Sequence, residues 1–303
     1  MGRPSLELRP RHDEGQARLI PLADATPKVS DPVLFGLDAM RTRFELVLHG
    51  AEPDLLSAAA HEAIEEIRAV EAQLSIFRSD SWLTRLNLDA ANGASVRVPA
   101  PLRALLRDCA AVHRASEGAF DPTTGPALDR HGLRDQSPVW SETRNDAADF
   151  GAVEFLDDCR VRFAQPGLQL DLGGIGKGWA LDRAAEVLRD AGVPAALLHG
   201  GTSTVLSFGE PFPLACRDAT PAGWQIGIEP DACLVLRDAA LSVSATRPHS
   251  RRSRGHVIDP RTGQPLRSRA TAAVVACSAT LADAWSTALL VQSRHPFSWK
   301  SLL

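Results

Sequence analysis

Apolar residues return at helical spacing in several stretches of the chain. From Pro53 to Leu74 they fall at a period of about 3.6 residues, which is typical of a helix with one buried face. We therefore predict a helix over Pro53–Leu74. The same spacing predicts helices over Pro101–Ala115, Trp179–Ala191 and Ala282–Val291. Gly118 and Gly192 follow two of these helices, at positions where glycine commonly ends a helix.

Shorter apolar or alternating runs predict strands. They cover Arg43–His49, Leu168–Leu172, Ala195–Leu198, Trp224–Ile228, Leu234–Arg237, Leu241–Val243 and Ala272–Ala276. Val153–Leu156 and Arg160–Phe163 flank the turn residues Asp157-Asp158 and are predicted to pair as a hairpin. Helices and strands mix without a regular alternation, which favours an α+β fold over a doubly wound sheet. We expect one domain over residues 36–303, after a flexible N-terminal arm at residues 1–35.

The composition constrains the compartment and the class of partner. The chain has 303 residues, 44% of them hydrophobic and 23% charged, and its net charge of −4 gives no support to nucleic-acid binding. It has no run of about 18 apolar residues. It also has no apolar signal-peptide core near its start, so we expect no membrane span and a cytoplasmic protein. Its five cysteines are scattered without a Cys-x-x-Cys pair, which indicates reduced thiols.

A glycine-rich stretch, Asp171-Leu-Gly-Gly-Ile-Gly-Lys-Gly178, lies between a predicted strand and a predicted helix. Its glycines allow the backbone to approach a ligand closely, and the helix N-terminus that follows offers N–H groups to an anion. It is not a Walker A loop, because Asp171 replaces the first glycine and Gly178 replaces Ser or Thr. Two interpretations stay open: a phosphate site of another kind with Lys177 as a point charge, and a plain turn with Lys177 in solvent.

Asp283 and Thr287 are four residues apart on the last predicted helix and therefore share one face. A carboxylate and a hydroxyl on one face suit a hard cation such as Mg²⁺, which prefers oxygen ligands. The alternative is structural, with Thr280 as the helix N-cap and Asp283 as the acidic third residue of a capping box. The spacing alone leaves both interpretations open.

Two further stretches combine charged residues with turn-forming residues. In one, His256 precedes Asp259-Pro-Arg-Thr-Gly263 and follows three arginines, an arrangement suited to neutralising a pyrophosphate or moving a proton. In the other, Ser116–Pro126, Asp121 lies in a rigid proline-containing segment that could wall a pocket. A solvated basic loop and a helix terminator are the plain alternatives.

Together and in this order, these stretches resemble the FAD:protein FMN transferase (ApbE) family. The matching segments are Leu74–Ser81 with Leu86-Asn87, Gly118–Thr123, Asp171–Gly178 with Asp182, Gly200-Gly201, His256–Gly263 and Ala282–Thr287. They extend from about Met40 to Val291, which is most of the chain. The resemblance implies an α+β globular fold of mixed and antiparallel sheets, flanked by helices, with FAD in a central cleft.

The resemblance also implies a role for each matching residue. Phe77 corresponds to the aromatic residue that stacks on the isoalloxazine ring. Mg²⁺ ligands are implied at Asp283, Thr287 and the backbone carbonyl of Gly176. His256 corresponds to a histidine beside the pyrophosphate, and His256 and Asp283 are the implied catalytic residues. The implied FAD-binding residues are Phe77, Asp121, Asp171, Lys177, His256 and Asp259.

The implied reaction is Mg²⁺-dependent transfer of FMN from FAD to a Thr or Ser hydroxyl of a partner flavoprotein, with release of AMP. Three positions depart from the family's pattern. Arg41 replaces the glycine of Met-Gly-Thr, Thr202 the aspartate of Gly-Gly-Asp, and Ala245 the glycine of Ser-Gly. Two alternatives stay open: an FAD pyrophosphatase that yields FMN and AMP, and a non-catalytic flavin-binding protein.

Overall fold

A computed structural model shows strands and helices mixed along the chain. It describes residues 8–10, 32–134, 138–142, 145, 149–157, 159–209, 224–229, 232–246, 257–266, 270–293 and 297–302. The strands in these residues are β1 (Leu8–Pro10), β2 (Val33–Ala39), β3 (Thr42–His49), β4 (Ser95–Arg97), β5 (Val153–Phe155), β6 (Arg160–Phe163), β7 (Ala195–Gly200), β8 (Thr204–Phe208), β9 (Trp224–Glu229), β10 (Ala232–Leu236), β11 (Ala240–Ala245), β12 (Ile258–Asp259), β13 (Gln264–Pro265), β14 (Thr271–Ala276) and β15 (Phe297–Leu302). The helices are α1 (Pro53–Leu74), α2 (Trp82–Ala90), α3 (Ala100–Ala115), α4 (Gly125–Arg130), α5 (Gly176–Asp190) and α6 (Ala279–Gln292), and a 3₁₀ helix covers Phe150–Ala152.

Seven strands form the main sheet, in the order β15-β14-β11-β8-β7-β3-β2. Neighbouring strands in it are antiparallel, except β14 and β15, which are parallel. Three smaller sheets have the orders β1-β10-β9, β4-β6-β5 and β12-β13. This mixture of mainly antiparallel sheets and helices confirms the α+β fold class.

The two faces of the main sheet are covered by different elements. Helices α1, α5 and α6 pack together on one face. On the other face, the contacts between β10 and the main sheet involve Leu234, Leu236, Val205, Leu241 and Val275. Side chains alternate between the faces of a strand, so Ser242 and Ser244 of β11 point towards α6 while Leu241 points to β10. Hydroxyl groups therefore lie beneath α6.

The helices and strands confirm most of the sequence-based predictions. α1 has the predicted bounds and begins with a proline in its first turn. Gly192, directly after α5, has a φ of +80°, which fits its predicted role as a helix stop. All the predicted strands except Leu168–Leu172 are present, with ends shifted by a residue or two. Among the described residues, no helix is long and apolar enough to cross a lipid bilayer.

The strand predicted over Leu168–Leu172 is wrong, and so is the start of the helix that follows. The backbone N–H and carbonyl of Leu170 bond the side-chain amide of Asn87, at 2.8 and 2.9 Å, instead of a neighbouring strand. Asn87 belongs to α2, a helix that was not predicted. α5 begins at Gly176, three residues before the predicted start.

The N-terminal boundary of the main sheet lies slightly before the predicted domain start. β2 begins at Val33, which pairs with Leu48 of β3, so the sheet includes residues 33–35 of the predicted arm. Leu8–Pro10, also in that arm, pairs with β10. Among the strands that the structure describes, β2 and β15 lie at the edges of the main sheet.

Candidate active site

Helices α5 and α6 meet near their N-termini, at Gly178. A Cβ atom at this position would lie 2.1 Å from the carbonyl oxygen of Ala279, so only glycine allows the two backbones to approach this closely. The same approach lets the backbone N–H of Gly178 donate to Asp283 Oδ2 at 3.1 Å. α5 therefore positions a carboxylate that α6 carries.

Asp182 of α5 makes the reciprocal contact with α6. Its carboxylate accepts from the backbone N–H groups of Ala279 and Thr280, at 2.9 and 2.8 Å, and from the hydroxyls of Ser278 and Thr280, at 2.7 and 2.5 Å. The N-cap of α6 is Ser278. The capping-box alternative is therefore wrong, because Thr280 lies inside the helix and the Asp283 side chain contacts α5.

Asp283 is 3% exposed, and each of its carboxylate oxygens has more than one partner. Lys177 Nζ lies 3.3 Å from Oδ1 and 3.4 Å from Oδ2. The hydroxyls of Ser242 and Thr204 lie 3.3 and 3.4 Å from Oδ1 and donate to it. With the N–H of Gly178, these groups compensate a charge that would otherwise be unfavourable in a buried position.

Further hydroxyls extend from this carboxylate towards Thr287. Ser286 Oγ lies 3.2 Å from Ser242 Oγ and 2.8 Å from Ser244 Oγ. Ser244 Oγ in turn lies 3.5 Å from Thr287 Oγ1. Of these residues, Ser242 and Ser286 were not predicted, nor was Thr204. One signal was available, the alternation of serine with apolar residues in β11, since it puts hydroxyls on a face that a helix covers.

Two cavities meet at the glycine-rich turn. Cavity A, of about 310 Å³, is lined by Ala119, Phe120, Asp121, Pro122, Thr124, Leu128, Asp171, Gly173, Gly174, Lys177, Ser203, Val243, Ser244, Val257, Ile258, Pro260, Asp283 and Thr287. Cavity B, also of about 310 Å³, is lined by Met40, Arg41, Glu71, Leu74, Ser75, Ile76, Phe77, Arg134, Asp171, Leu172, Gly173, Gly176 and Lys177. Asp171, Gly173 and Lys177 line both cavities, which therefore share one wall.

Most of the site residues predicted from the sequence lie at these cavities. The residues at cavity A are Asp121, Asp171, Lys177, Asp283 and Thr287. Phe77 and Gly176 lie at cavity B, on the other side of the shared wall from Asp283. The role of the Gly176 carbonyl as a metal ligand stays a prediction, as do the roles of the other residues. His256 lies outside the described residues.

The N-terminus of α5 differs from the expected anion site. Several of its N–H groups already bond acceptors of the protein: Gly176 donates to Leu172, Gly178 to Asp283 and Trp179 to Ile175. The expectation that these N–H groups are free is therefore wrong. A positive group that does line both cavities is the ammonium-bearing side chain of Lys177.

Asp171 holds the glycine-rich turn in place. Its Oδ1 accepts from the backbone N–H of Gly173 at 2.9 Å, and its Oδ2 pairs with the guanidinium of Arg134. Arg134 also approaches Asp129 Oδ1 at 3.4 Å and lies over the ring of Trp140, 5.5 Å from its centre. The carboxylate of Asp171 thus has two partners in the wall that separates the cavities.

Asp121 lines cavity A, and its carboxylate has several partners in the protein. It accepts from the backbone N–H and hydroxyl of Thr123, at 2.7 and 2.6 Å, and from the N–H of Phe150 at 3.2 Å. Burial nevertheless raises the pKa of Asp121, because desolvation disfavours its charged form. These contacts fix the segment that walls the cavity.

Asp259 lies beside cavity A rather than in its wall. Its neighbours Ile258 and Pro260 are lining residues, but Asp259 lines neither cavity. Its carboxylate accepts from the guanidinium of Arg261 at 2.9 and 2.8 Å, and this contact lowers the pKa of Asp259. This carboxylate closes a turn beside cavity A, and the role of Asp259 in FAD binding stays a prediction.

The turn between β2 and β3 forms part of cavity B. Met40 and Arg41 have φ values of +49° and +62°, a left-handed conformation that is uncommon for residues other than glycine. The N–H of Met40 donates to Glu71 at 2.6 Å. Two-residue hairpin loops commonly have positive φ at both central residues, and glycine adopts this conformation most easily. The backbone at Arg41 therefore has a conformation typical of glycine, the residue that the family's pattern has at this position.

The architecture is shared with solved flavin transferases. The Pseudomonas stutzeri flavinyl transferase ApbE, in its apo form, is similar to this chain with a TM-score of 0.73 and 24% sequence identity. The match covers 88% of this chain and 86% of that protein. The fold is therefore that of an ApbE-type flavin transferase.

The chain belongs to the ApbE family, whose model matches residues 40–297. The FAD:protein FMN transferase of Rhodobacter capsulatus is 33% identical over 225 residues, which are 69% of this chain and 42% of that relative. The FAD:protein FMN transferase of Treponema pallidum is 30% identical over 268 residues, which are 78% of this chain and 72% of that relative. Both relatives are transferases, and the family prediction is confirmed.

Proposed function

We propose that the protein transfers FMN from FAD to a Thr or Ser hydroxyl of a partner flavoprotein, in a Mg²⁺-dependent reaction that releases AMP. The observation that carries the proposal is the shared wall of the two cavities, with Asp283 and Thr287 on one side and Phe77 on the other. A dinucleotide needs neighbouring surfaces of different chemistry for its ring and its diphosphate. The names of the relatives support the same activity.

FAD would extend across both cavities. In cavity B, Phe77 offers an aromatic surface to the isoalloxazine ring. At the shared wall, the absence of a side chain at Gly173 allows the diphosphate to approach the backbone. Lys177 lines both cavities and would place a positive charge beside the diphosphate.

The donor set of cavity A fits Mg²⁺. Asp283 and Thr287 offer a carboxylate and a hydroxyl from one helix face, and the hydroxyl of Ser244 is 3.5 Å from that of Thr287. Mg²⁺ prefers such oxygen ligands and keeps positions for water and phosphate oxygens. When bound there, the ion would neutralise charge on the diphosphate.

A second group of polar side chains fits a cation less well. Atoms of His113, Asp121 and Asp149 lie within 4.8 Å of one another. However, His113 and Asp149 line neither cavity A nor cavity B, so an ion held by all three groups would lie away from the proposed position of the diphosphate. We therefore assign Mg²⁺ to cavity A.

In the proposed reaction, the oxygen of the acceptor hydroxyl attacks the phosphorus on the FMN side of the diphosphate. A new P–O bond forms as the bond from this phosphorus to the bridging oxygen breaks, and AMP leaves with that oxygen and its electron pair. The hydroxyl proton passes to a base, for which we propose His256. The charge of Lys177 would stabilise the negative charge that moves onto AMP.

Two alternatives use the same cavities. An FAD pyrophosphatase would admit water instead of the acceptor hydroxyl and would release FMN and AMP. A non-catalytic flavin-binding protein is favoured by Arg41, which lines cavity B, and by Thr202, which lacks the family's carboxylate. The donors assembled on Asp283 favour an active enzyme, because they hold a buried carboxylate that flavin binding alone does not need.

One experiment separates the three activities. The protein is incubated with FAD, Mg²⁺ and a candidate acceptor flavoprotein, and the masses of the acceptor and of the small products are measured. FMN bound to the acceptor supports the proposal. Free FMN with AMP and an unmodified acceptor supports a pyrophosphatase, and intact FAD bound to the protein supports a binding protein.

Asp283→Asn is the matched control, since it keeps the size of the side chain and removes the charge. We expect transfer to fall on the order of 10²–10³-fold, as for the loss of other electrostatic groups at reaction centres. Transfer at the unaltered rate would refute the assignment of Asp283.

A further inference from the structure

Lys177 lies where a cation would contact Asp283. Its Nζ is 3.3 and 3.4 Å from the two carboxylate oxygens and thus faces both at once. We propose that Lys177 is the resident counter-ion of Asp283 in the metal-free protein, and that Mg²⁺ binds by displacing the Lys177 ammonium from the carboxylate. This exchange rests on the proposed function, because it concerns the same Mg²⁺ site.

The two partners of this ion pair differ in mobility. The Asp283 side chain is 4% exposed and is fixed by donors from Gly178, Ser242 and Thr204. The Lys177 side chain is 24% exposed, and its ammonium group lies at the end of a flexible stem. A buried carboxylate without a counter-charge is strongly unfavourable, so one cation must replace another at this position. The lysine leaves and the carboxylate stays.

The choice of lysine at this position fits an exchangeable counter-ion. Only three of the 33 basic residues in the chain are lysines, at positions 28, 177 and 300, and the others are arginines. An arginine would bind the carboxylate through two parallel hydrogen bonds, whereas a lysine ammonium is a point charge that can turn away. A chain in which most basic residues are arginines thus has lysine, the more easily released cation, beside Asp283.

Once displaced from Asp283, the Lys177 side chain could contact the substrate. Lys177 lines cavity A and cavity B, at the wall where the diphosphate of FAD would lie. Release from Asp283 therefore makes the ammonium available to the substrate. Mg²⁺ binding and FAD binding would be coupled through this one side chain, with each favouring the other.

The test is the affinity for Mg²⁺ in the absence of FAD, measured by titration calorimetry. Lys177→Gln removes the competing charge, so we expect Mg²⁺ to bind on the order of tenfold more tightly than to the unaltered protein. Lys177→Arg should bind Mg²⁺ more weakly, because its guanidinium grips the carboxylate with two hydrogen bonds. Lys300→Gln, on β15, is the matched control and should leave the affinity unchanged. Equal affinities, or weaker binding in both variants at position 177, would overturn the exchange.

A second measurement needs no substitution and stays informative if Lys177→Gln fails to fold. The unaltered protein is treated with an amine-acylating reagent with and without Mg²⁺, and the peptides that contain Lys177 and Lys300 are quantified by mass. We expect Mg²⁺ to increase acylation of Lys177 several-fold and to leave Lys300 unchanged. No increase at Lys177 would overturn the exchange. Neither measurement contains FAD or an acceptor, so failure of FMN transfer alone refutes the proposed function and leaves these results intact.

Discussion

At Gly178, two helix backbones pass too closely for any side chain. In Gly178→Ala the new methyl carbon would lie 2.1 Å from the carbonyl oxygen of Ala279, so the helices must separate. We expect the unfolding free energy to fall by about 1–3 kcal/mol, as in other overpacked sites. Urea denaturation measures this loss.

Gly174→Ala is the control for this prediction. A Cβ atom at Gly174 would meet Phe120 at 3.4 Å and the hydroxyl of Thr287 at 3.6 Å, which are close to ordinary contacts. Its stability should change by less than about 1 kcal/mol. Equal losses in the two variants would show that the contact at Gly178 has no special importance.

Asp259 gives a pH-dependent prediction at the same scale. Arg261 lowers the pKa of this carboxyl in the folded state, so its contribution to stability is present above the ordinary pKa and is lost as pH falls through the lowered value. Asp259→Asn should destabilise the protein at neutral pH by less than about 1 kcal/mol, because Arg261 is mostly exposed. The deficit should shrink below about pH 4. Urea midpoints across this range provide the test, and a deficit that grows with acidity has the wrong sign.

At the scale of elements, Asp182 connects α5 to the start of α6. Asp182→Ala would leave the first N–H groups of α6 without this acceptor, and we expect a loss of about 0.5–2 kcal/mol, as for other removed helix caps. Asp182→Asn keeps one acceptor oxygen and should lose less. Urea denaturation of the three proteins gives the order, and an alanine variant as stable as the unaltered protein would contradict it.

The elements that could be predicted from the sequence are those whose apolar residues recur at a regular spacing within the element itself. α1 and the hairpin of β5 and β6 need only local patterns and turn residues, and both are present. The extended segment at Leu170 was not predictable in this way, because its hydrogen bonds come from Asn87, 83 positions away. A local pattern carries no information about such a partner.

In the candidate site, too, features with a local sequence pattern were predictable, and contacts between distant residues were not. Asp283 and Thr287 were predicted because their spacing is local and because the surrounding segment resembles a known family. The partners of Asp283 were not: Lys177 is 106 positions away and Ser242 is 41 positions away. The spacing together with the family resemblance therefore identified Asp283 as a candidate, whereas only the packing of α5 and β11 against α6 identifies its environment.

At the scale of the whole molecule, the shared wall predicts cooperation between ligands. FAD and Mg²⁺ should each raise the melting temperature, since a ligand at about 100 times its Kd adds about 2.7 kcal/mol to stability. Together they should raise stability by more than the sum, because both contact the wall that contains Lys177. Differential scanning calorimetry with each ligand and with both tests this, and additive changes would contradict it. Phe77→Ala should reduce the effect of FAD and preserve that of Mg²⁺.

The reciprocal contacts of Asp182 and Asp283 between α5 and α6 have a consequence for how the protein unfolds. Asp182 completes the beginning of one helix and Asp283 that of the other, so neither beginning is finished until the pair has docked. We therefore expect both helix starts to gain stability when α5 and α6 dock. Heating that separates α5 from α6 should therefore abolish activity and native structure over the same temperature range, which activity assays and circular dichroism on the same heated samples would test.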